Sequence, residues 1–138
     1  MVQIDITYNG KLKCTAVHQP SGTEMTTSAP KDNMGDGSSF SPTDLVATAL
    51  GTCMITTMSI LAAKSGITLE ETTVRVQKIM TATPPRRIAK LPVVITVNKF
   101  VAHEFRQQLE VAAHTCPVAR TLNSETEIVT TFHWKEQN

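Results

Sequence analysis

The chain of 138 residues carries a formal net charge of +1 at pH 7, with 18% charged and 4% aromatic residues. That length suits a single domain, residues 1–138, able to bury its own core, and the charge and aromatic content leave no footprint for nucleic acid. Cys14, Cys53 and Cys116 are odd in number and widely spaced, which excludes a secreted disulfide framework, and no CxxC or closely spaced histidine pair marks a metal site.

Residues 2–8 alternate apolar and polar like a strand and lack the apolar core of a signal peptide, so cytoplasmic residence is expected. Asn9-Gly10 reads as a two-residue hairpin turn. Residues 11–19 return as a second strand with Leu12, Cys14 and Ala16 on one face, where Cys14 is a small core or interface residue. A turn at Pro20-Ser21-Gly22 leads into a third strand, Thr23–Ser28. The stretch APKDNMGDGSSFSP that follows is a loop by its Gly, Ser, Asp and Pro content.

Residues 41–66, SPTDLVATALGTCMITTMSILAAKSG, form the central helix. No charge interrupts it between Asp44 and Lys64, and its apolar side chains do not keep to one stripe, which is the pattern of a buried helix. Ser41 is placed to cap, Pro42 suits the first helical position, and Asp44 completes an S-x-x-D capping box. Gly66 supplies the left-handed stop. The uncharged run approaches the length of a membrane span, about 20 residues. Its threonines and the lack of aromatic or basic flanks favour the core of a soluble domain instead, with no membrane partner.

Two long strands are expected next, residues 72–82 and Ile88–Phe100, joined through TPPRR as a hairpin arm. His103–His114 has helical spacing. In HTCPVARTL, Pro117 starts a short helix and puts Cys116 at its N-cap, where backbone N–H groups favour a thiolate. Glu127–Lys135 closes the chain as a strand with Ile128, Thr130, Phe132 and Trp134 on one face. The order βββ-α-ββ-αα-β is segregated, which is α+β.

A cysteine within a buried helix and another at a helix N-terminus suit either two unrelated structural roles or a redox pair. The segments SPTDLVATALGTC and CPVARTL resemble the OsmC/Ohr family of hydroperoxide-reducing proteins, and nearly the whole chain follows that family's order of elements. The resemblance implies an intertwined homodimer with the two central helices packed together and active sites at the subunit interface. It makes Cys53 the peroxidatic and Cys116 the resolving cysteine. The implied reaction is reduction of an organic hydroperoxide through a Cys53 sulfenic acid and a Cys53–Cys116 disulfide, reopened by a dithiol such as reduced lipoamide. No metal, flavin or haem is implied.

Two family positions differ. No arginine precedes Arg75, although peroxidatic members hold the thiolate with an N-terminal arginine, and Thr43 stands where they carry a glutamate. Lys11 or Lys13 would supply charge without the planar fork; Arg86, Arg87 and Arg120 are the other candidates to activate Cys53. Asp44 falls on the opposite side of the helix from Cys53, at about 100° per residue. These differences favour a second reading, a non-peroxidatic stress or binding protein of the same fold with an apolar ligand at the dimer interface. A Cys-His acyl-transfer enzyme is a third, with no local signature for it.

Overall fold

The computed structural model describes residues 1–137. It is a mixed α+β structure of seven strands and three α-helices, in two compact units, Met1–Val46 and the residues from Ala47 onward. The observed order, βββ-α-βββ-αα-β, is the expected βββ-α-ββ-αα-β with one strand divided in two.

The first unit is an antiparallel sheet of β1 (Ile4–Gly10), β2 (Lys13–His18) and β3 (Thr23–Ser28), in that order. The expected turn at Asn9-Gly10 is corrected by two residues. Lys11 and Leu12 occupy it with φ of 52° and 59°, the conformation of a two-residue hairpin loop, while Asn9 is bulged out and Gly10 sits at φ 82°. The physical reason is register. A turn at Asn9-Gly10 would set Ile6 opposite Lys13, whereas the observed register sets Ile6 opposite Ala16 and Tyr8 opposite Cys14, which gathers the apolar side chains on one face.

A loop follows β3, with one 3₁₀ turn at Lys31–Asn33. Asp36 pins this loop to the sheet: its carboxylate accepts from Lys13 Nζ at 2.7 Å, from Ser28 Oγ at 2.6 Å and from the Ser38 N–H at 3.0 Å. Gly35 passes so close to the backbone of Ala29 that a Cβ there would overlap the Ala29 carbonyl.

The central helix α1 spans Pro42–Ala63. Its capping box is formed as expected. The Ser41 N–H donates to Asp44 Oδ2 at 2.8 Å and the Asp44 N–H donates to Ser41 Oγ at 3.1 Å. At the far end Gly66 has φ 70°, and the Ile67 N–H returns to the Ala62 carbonyl. The helix is long and apolar enough to cross a bilayer by length and composition. In a single chain it is buried along one side, through Ala47, Leu50, Met54, Met58 and Ala62, with Thr48, Thr52, Thr56 and Ile60 exposed on the other.

The second unit is built on β6 (Ile88–Phe100). One edge of β6 carries β4 (Thr73–Val76) and β5 (Ile79–Met80), both antiparallel; β7 (Glu127–Lys135) pairs with β6 in parallel. The strand expected over residues 72–82 is therefore broken in two. The Gln77 N–H donates to the Pro92 carbonyl at 2.9 Å, but Pro92 has no N–H to return, and the ladder lapses there. Leu91, Val93, Ile95 and Val97 alternate onto one fully buried face of β6, each contributing about 1.5–3 kcal/mol by burial. They share a core with Leu50, Met54 and Met58 of α1, with Leu109 and Ala113 of α2 (His103–His114), and with Cys116 ahead of α3 (Pro117–Thr121).

Candidate functional site

Cys53 lies in the middle of α1, half-buried, packed against the core of the second unit. Gly51, two residues before it, lies about 200° away around the helix. A Cβ at Gly51 would stand 2.8 Å from Val76 Cγ2 and 3.3 Å from Val74 Cγ1, so the missing side chain is what lets α1 lie close on β4.

Cys116 is the N-cap of α3, with extended backbone (φ −62°, ψ 150°) and Pro117 at the first helical position, as the Cys-Pro pair indicates. Its sulfur accepts the Ala119 N–H at 3.5 Å. The side chain is fully buried. The two thiols, sixty-three positions apart in sequence, lie near enough for Cys53 to act on the Cys116 thiol, and both cysteines are free. The structure thus brings Cys53 and Cys116 together.

Burial is the largest influence on the Cys116 thiol and pushes its pKa up; the Ala119 N–H pulls it down, and the Cys53 thiol raises it further. The expected pull of the helix N-terminus toward a Cys116 thiolate is present in the Ala119 N–H but is outweighed. Desolvation of a fully buried sulfur outweighs the backbone donors that favour its thiolate.

The remaining sequence candidates lie elsewhere. Lys11, Lys13 and Cys14 belong to the first unit, where they line a cavity of about 400 Å³ together with Ser38 and Ser39. Lys13 Nζ is engaged by Asp36. In the second unit Arg87 holds the Glu125 carboxylate and its carbonyl. Arg120 Nε donates to the Thr115 carbonyl at 3.0 Å, and Arg86 is exposed in the hairpin turn. The ring of His114, two residues before Cys116, stands edge-on to Phe132 at 5.7 Å between centroids. Among the described residues, Cys53 is the one titratable group acting on Cys116, and no cluster of three His, Cys, Asp or Glu side chains is placed to hold a metal ion.

Sequence reasoning missed Ala119, whose contribution is a backbone N–H. The signal was present in the N-cap rule, since a cap accepts from the second or third helical amide and Pro117 fixes the count.

The comparisons agree with this architecture. A solved structure from Psychrobacter arcticus 273-4, of a protein assigned to osmotic stress induction and the detoxification response, is 38% identical over 96% of both chains, with a TM-score of 0.91. An organic hydroperoxide resistance protein OsmC from Legionella pneumophila shares the fold at 17% identity, over 96% of both chains, with a TM-score of 0.73. The organic hydroperoxide resistance protein OhrB of Bacillus subtilis shares it at 14% identity, over 96% of this chain and 97% of its own, with a TM-score of 0.68. Among curated proteins, none matches the sequence at a significant level. The family model for OsmC-like protein matches residues 35–131, well over half the chain and including both Cys53 and Cys116, and the chain therefore belongs to the OsmC-like family.

Proposed function

We propose that the chain is a thiol-dependent peroxidase that reduces organic hydroperoxides through Cys53 and Cys116. The family and the hydroperoxide-resistance proteins that share its fold suggest a role in stress defence. The observation that carries the finer reading is the proximity of the two thiols inside one unit, near enough for Cys53 to act on Cys116. Among the described residues they are the one cysteine pair shown to act on each other, and the disulfide of this mechanism requires their Cα atoms to come within about 7 Å.

In this mechanism the Cys53 thiolate attacks the distal oxygen of ROOH. The O–O bond breaks, ROH leaves with a proton from solvent, and Cys53 becomes a sulfenic acid. Cys116 then attacks the Cys53 sulfur, which forms the disulfide and releases water. A dithiol reductant of the reduced lipoyl type reopens the disulfide by exchange and is itself oxidised. The apolar surroundings of Cys53 favour alkyl hydroperoxides over hydrogen peroxide, at about 0.8 kcal/mol per buried methylene. The protein acts as a homodimer in the cytoplasm, in keeping with a family whose members are generally soluble.

Consumption of cumene hydroperoxide in the presence of dihydrolipoamide is the test. It should vanish in Cys53→Ser, while Cys116→Ser should stop after one oxidation with a sulfenic acid trapped at Cys53. Wild-type protein that leaves both alkyl hydroperoxide and hydrogen peroxide untouched would replace this reading by the second one, a stress protein binding an apolar ligand. That alternative is supported by the lack of a basic side chain among the groups acting on Cys116.

A further inference from the structure

The cavity of about 400 Å³ in the first unit is formed by the β1–β2 hairpin, β3 and the loop ahead of α1, and no step of the proposed peroxidase reaction uses it. Its walls are tied together by the protein itself. The Ala29 N–H donates to the Leu12 carbonyl at 3.1 Å, the Ser28 N–H to the Phe40 carbonyl at 3.0 Å, and Ser39 Oγ to the Thr26 carbonyl at 2.8 Å. A site ordered in advance loses little freedom on binding. Its volume falls within the range of small-molecule pockets, about 300–1,000 Å³, yet apart from Gly10 and Cys14 its lining is polar.

What that lining offers is donors. Lys11 sits exposed in the hairpin loop at φ 52°, and among the described residues its ammonium has no ion pair. Lys13 Nζ spends one N–H on Asp36 at 2.7 Å and keeps the rest; Asn9 Nδ2 spends one on Thr15 Oγ1 at 2.7 Å and keeps the other. The hydroxyls of Thr26 and Thr27 have no protein partner among the described residues. The nearby carboxylate, Asp36, is already taken by Lys13, Ser28 Oγ and the Ser38 N–H. Two ammonium groups against one carboxylate leave a surplus of positive charge beside unspent donors.

We infer that this cavity binds a phosphate group, with Lys11 and Lys13 as the counter-charges and Asn9 and Thr27 as neutral donors. Phosphate oxygens are strong acceptors, which is what a donor-rich and acceptor-poor lining selects. Lysine serves a phosphate as a point charge, whereas a carboxylate is best met by the planar fork of an arginine, which this cavity lacks. The volume exceeds that of the oxyanion alone, and the hydroxyls around it suit the polar remainder of a phosphate monoester such as a sugar phosphate. The site stands on the first unit alone and is independent of Cys53 and Cys116.

Calorimetric titration of the full-length protein in phosphate-free buffer tests this, with inorganic phosphate, glucose 6-phosphate and glucose as the probes. Both phosphates should bind saturably, one per chain, and glucose should not bind. Tighter binding of glucose 6-phosphate identifies a monoester as the ligand class; tighter binding of inorganic phosphate identifies the free ion. Lys11→Gln should weaken binding about tenfold, the loss of one charge-assisted hydrogen bond, and added sodium chloride should weaken it further. Thr27→Val keeps the shape of the strand residue, removes a donor and should weaken binding less. Lys64→Gln removes the same charge at an exposed lysine outside the cavity lining and should bind as wild type. Absence of saturable binding for both phosphates overturns the site. So does a Lys11→Gln protein that binds as tightly as wild type, or one weakened no more than Lys64→Gln. None of these readouts involves a thiol or a peroxide, so the peroxidase reading stands or falls separately.

Discussion

Val76 Cγ2 occupies the space that a Cβ on Gly51 would need, 2.8 Å from the ideal Cβ position. The missing side chain is what allows this close approach of α1 to β4. Gly51→Leu drives a branched side chain into Val76 and Val74 and should cost about 1–3 kcal/mol by overpacking. Gly51→Ala sets a smaller clash against a gain in helix propensity of about 1 kcal/mol, so it should stay within about 1 kcal/mol of wild type. Urea unfolding of both variants measures this. A Leu variant as stable as wild type would show that α1 does not depend on the contact.

Local rules found the elements whose signals are local. The limits of α2, β3 and β7 agree with their sequence spacing, and α1 begins and ends where Ser41, Asp44 and Gly66 place it. What escaped depends on partners distant in sequence. The hairpin turn moved from Asn9-Gly10 to Lys11-Leu12 because the apolar faces of two strands had to match, which overrode the best local turn pair. The break at Gln77 is caused by Pro92 on the facing strand, and the parallel pairing of β7 with β6 leaves no mark in either segment. Both site cysteines were legible only through the family pattern. Their proximity, and the full burial of Cys116 that pushes its thiol pKa up, arise from packing in the core that α1 and the start of α3 share.

Ser41 and Asp44 satisfy each other's backbone N–H at the start of α1, and Ser41 is almost wholly buried, which shields the pair from water. Loss of either side chain leaves a donor without its acceptor. Ser41→Ala should therefore cost about 1.5–2 kcal/mol, the upper part of the usual cap range of about 0.5–2. Asp44→Asn keeps an acceptor and should cost less than Asp44→Ala. Thermal unfolding orders the three variants, and an Ala at position 41 without effect would remove the box as a determinant of the helix start.

The Lys13 ammonium, then the hydroxyl of Ser28 and the donors of Ser38, hold the Asp36 carboxyl well below the usual carboxylate range. A folded pKa depressed in this way gives stability that is present above the ordinary aspartate value and is lost as pH falls through the folded value. Glu136, lowered by its hydrogen bond to Arg106, acts in the same direction. Stability should thus fall on acidification below about pH 4, and Asp36→Asn should flatten that limb while lowering stability at neutral pH. Because Lys13 and Asp36 are both substantially exposed, high salt should shrink the difference. Denaturant midpoints of wild type and Asp36→Asn across the acid range measure it; parallel curves would show that the loop is not held by this carboxylate.

The N-terminal sheet turns an apolar face to solvent in the single chain. Ile4, Ile6 and Tyr8 of β1 are 57%, 68% and 64% exposed, and Met25 of β3 is 42% exposed. The register sets Ile6, Ala16 and Met25 in one row across the three strands, with Tyr8 and Cys14 in the next. Strand alternation of this kind buries one face, and a contiguous exposed apolar face marks an interaction surface. A second copy of the chain is the occupant expected for the proposed homodimer, and obligate interfaces resemble a core cut in half. Ile6→Glu puts a charge in the middle of that row and should convert a dimer into monomer at micromolar concentration. Far-UV circular dichroism should show the strands retained. Sedimentation of wild type and variant decides it: a stable wild-type monomer, or a variant that still sediments as a dimer, would remove this face from the interface.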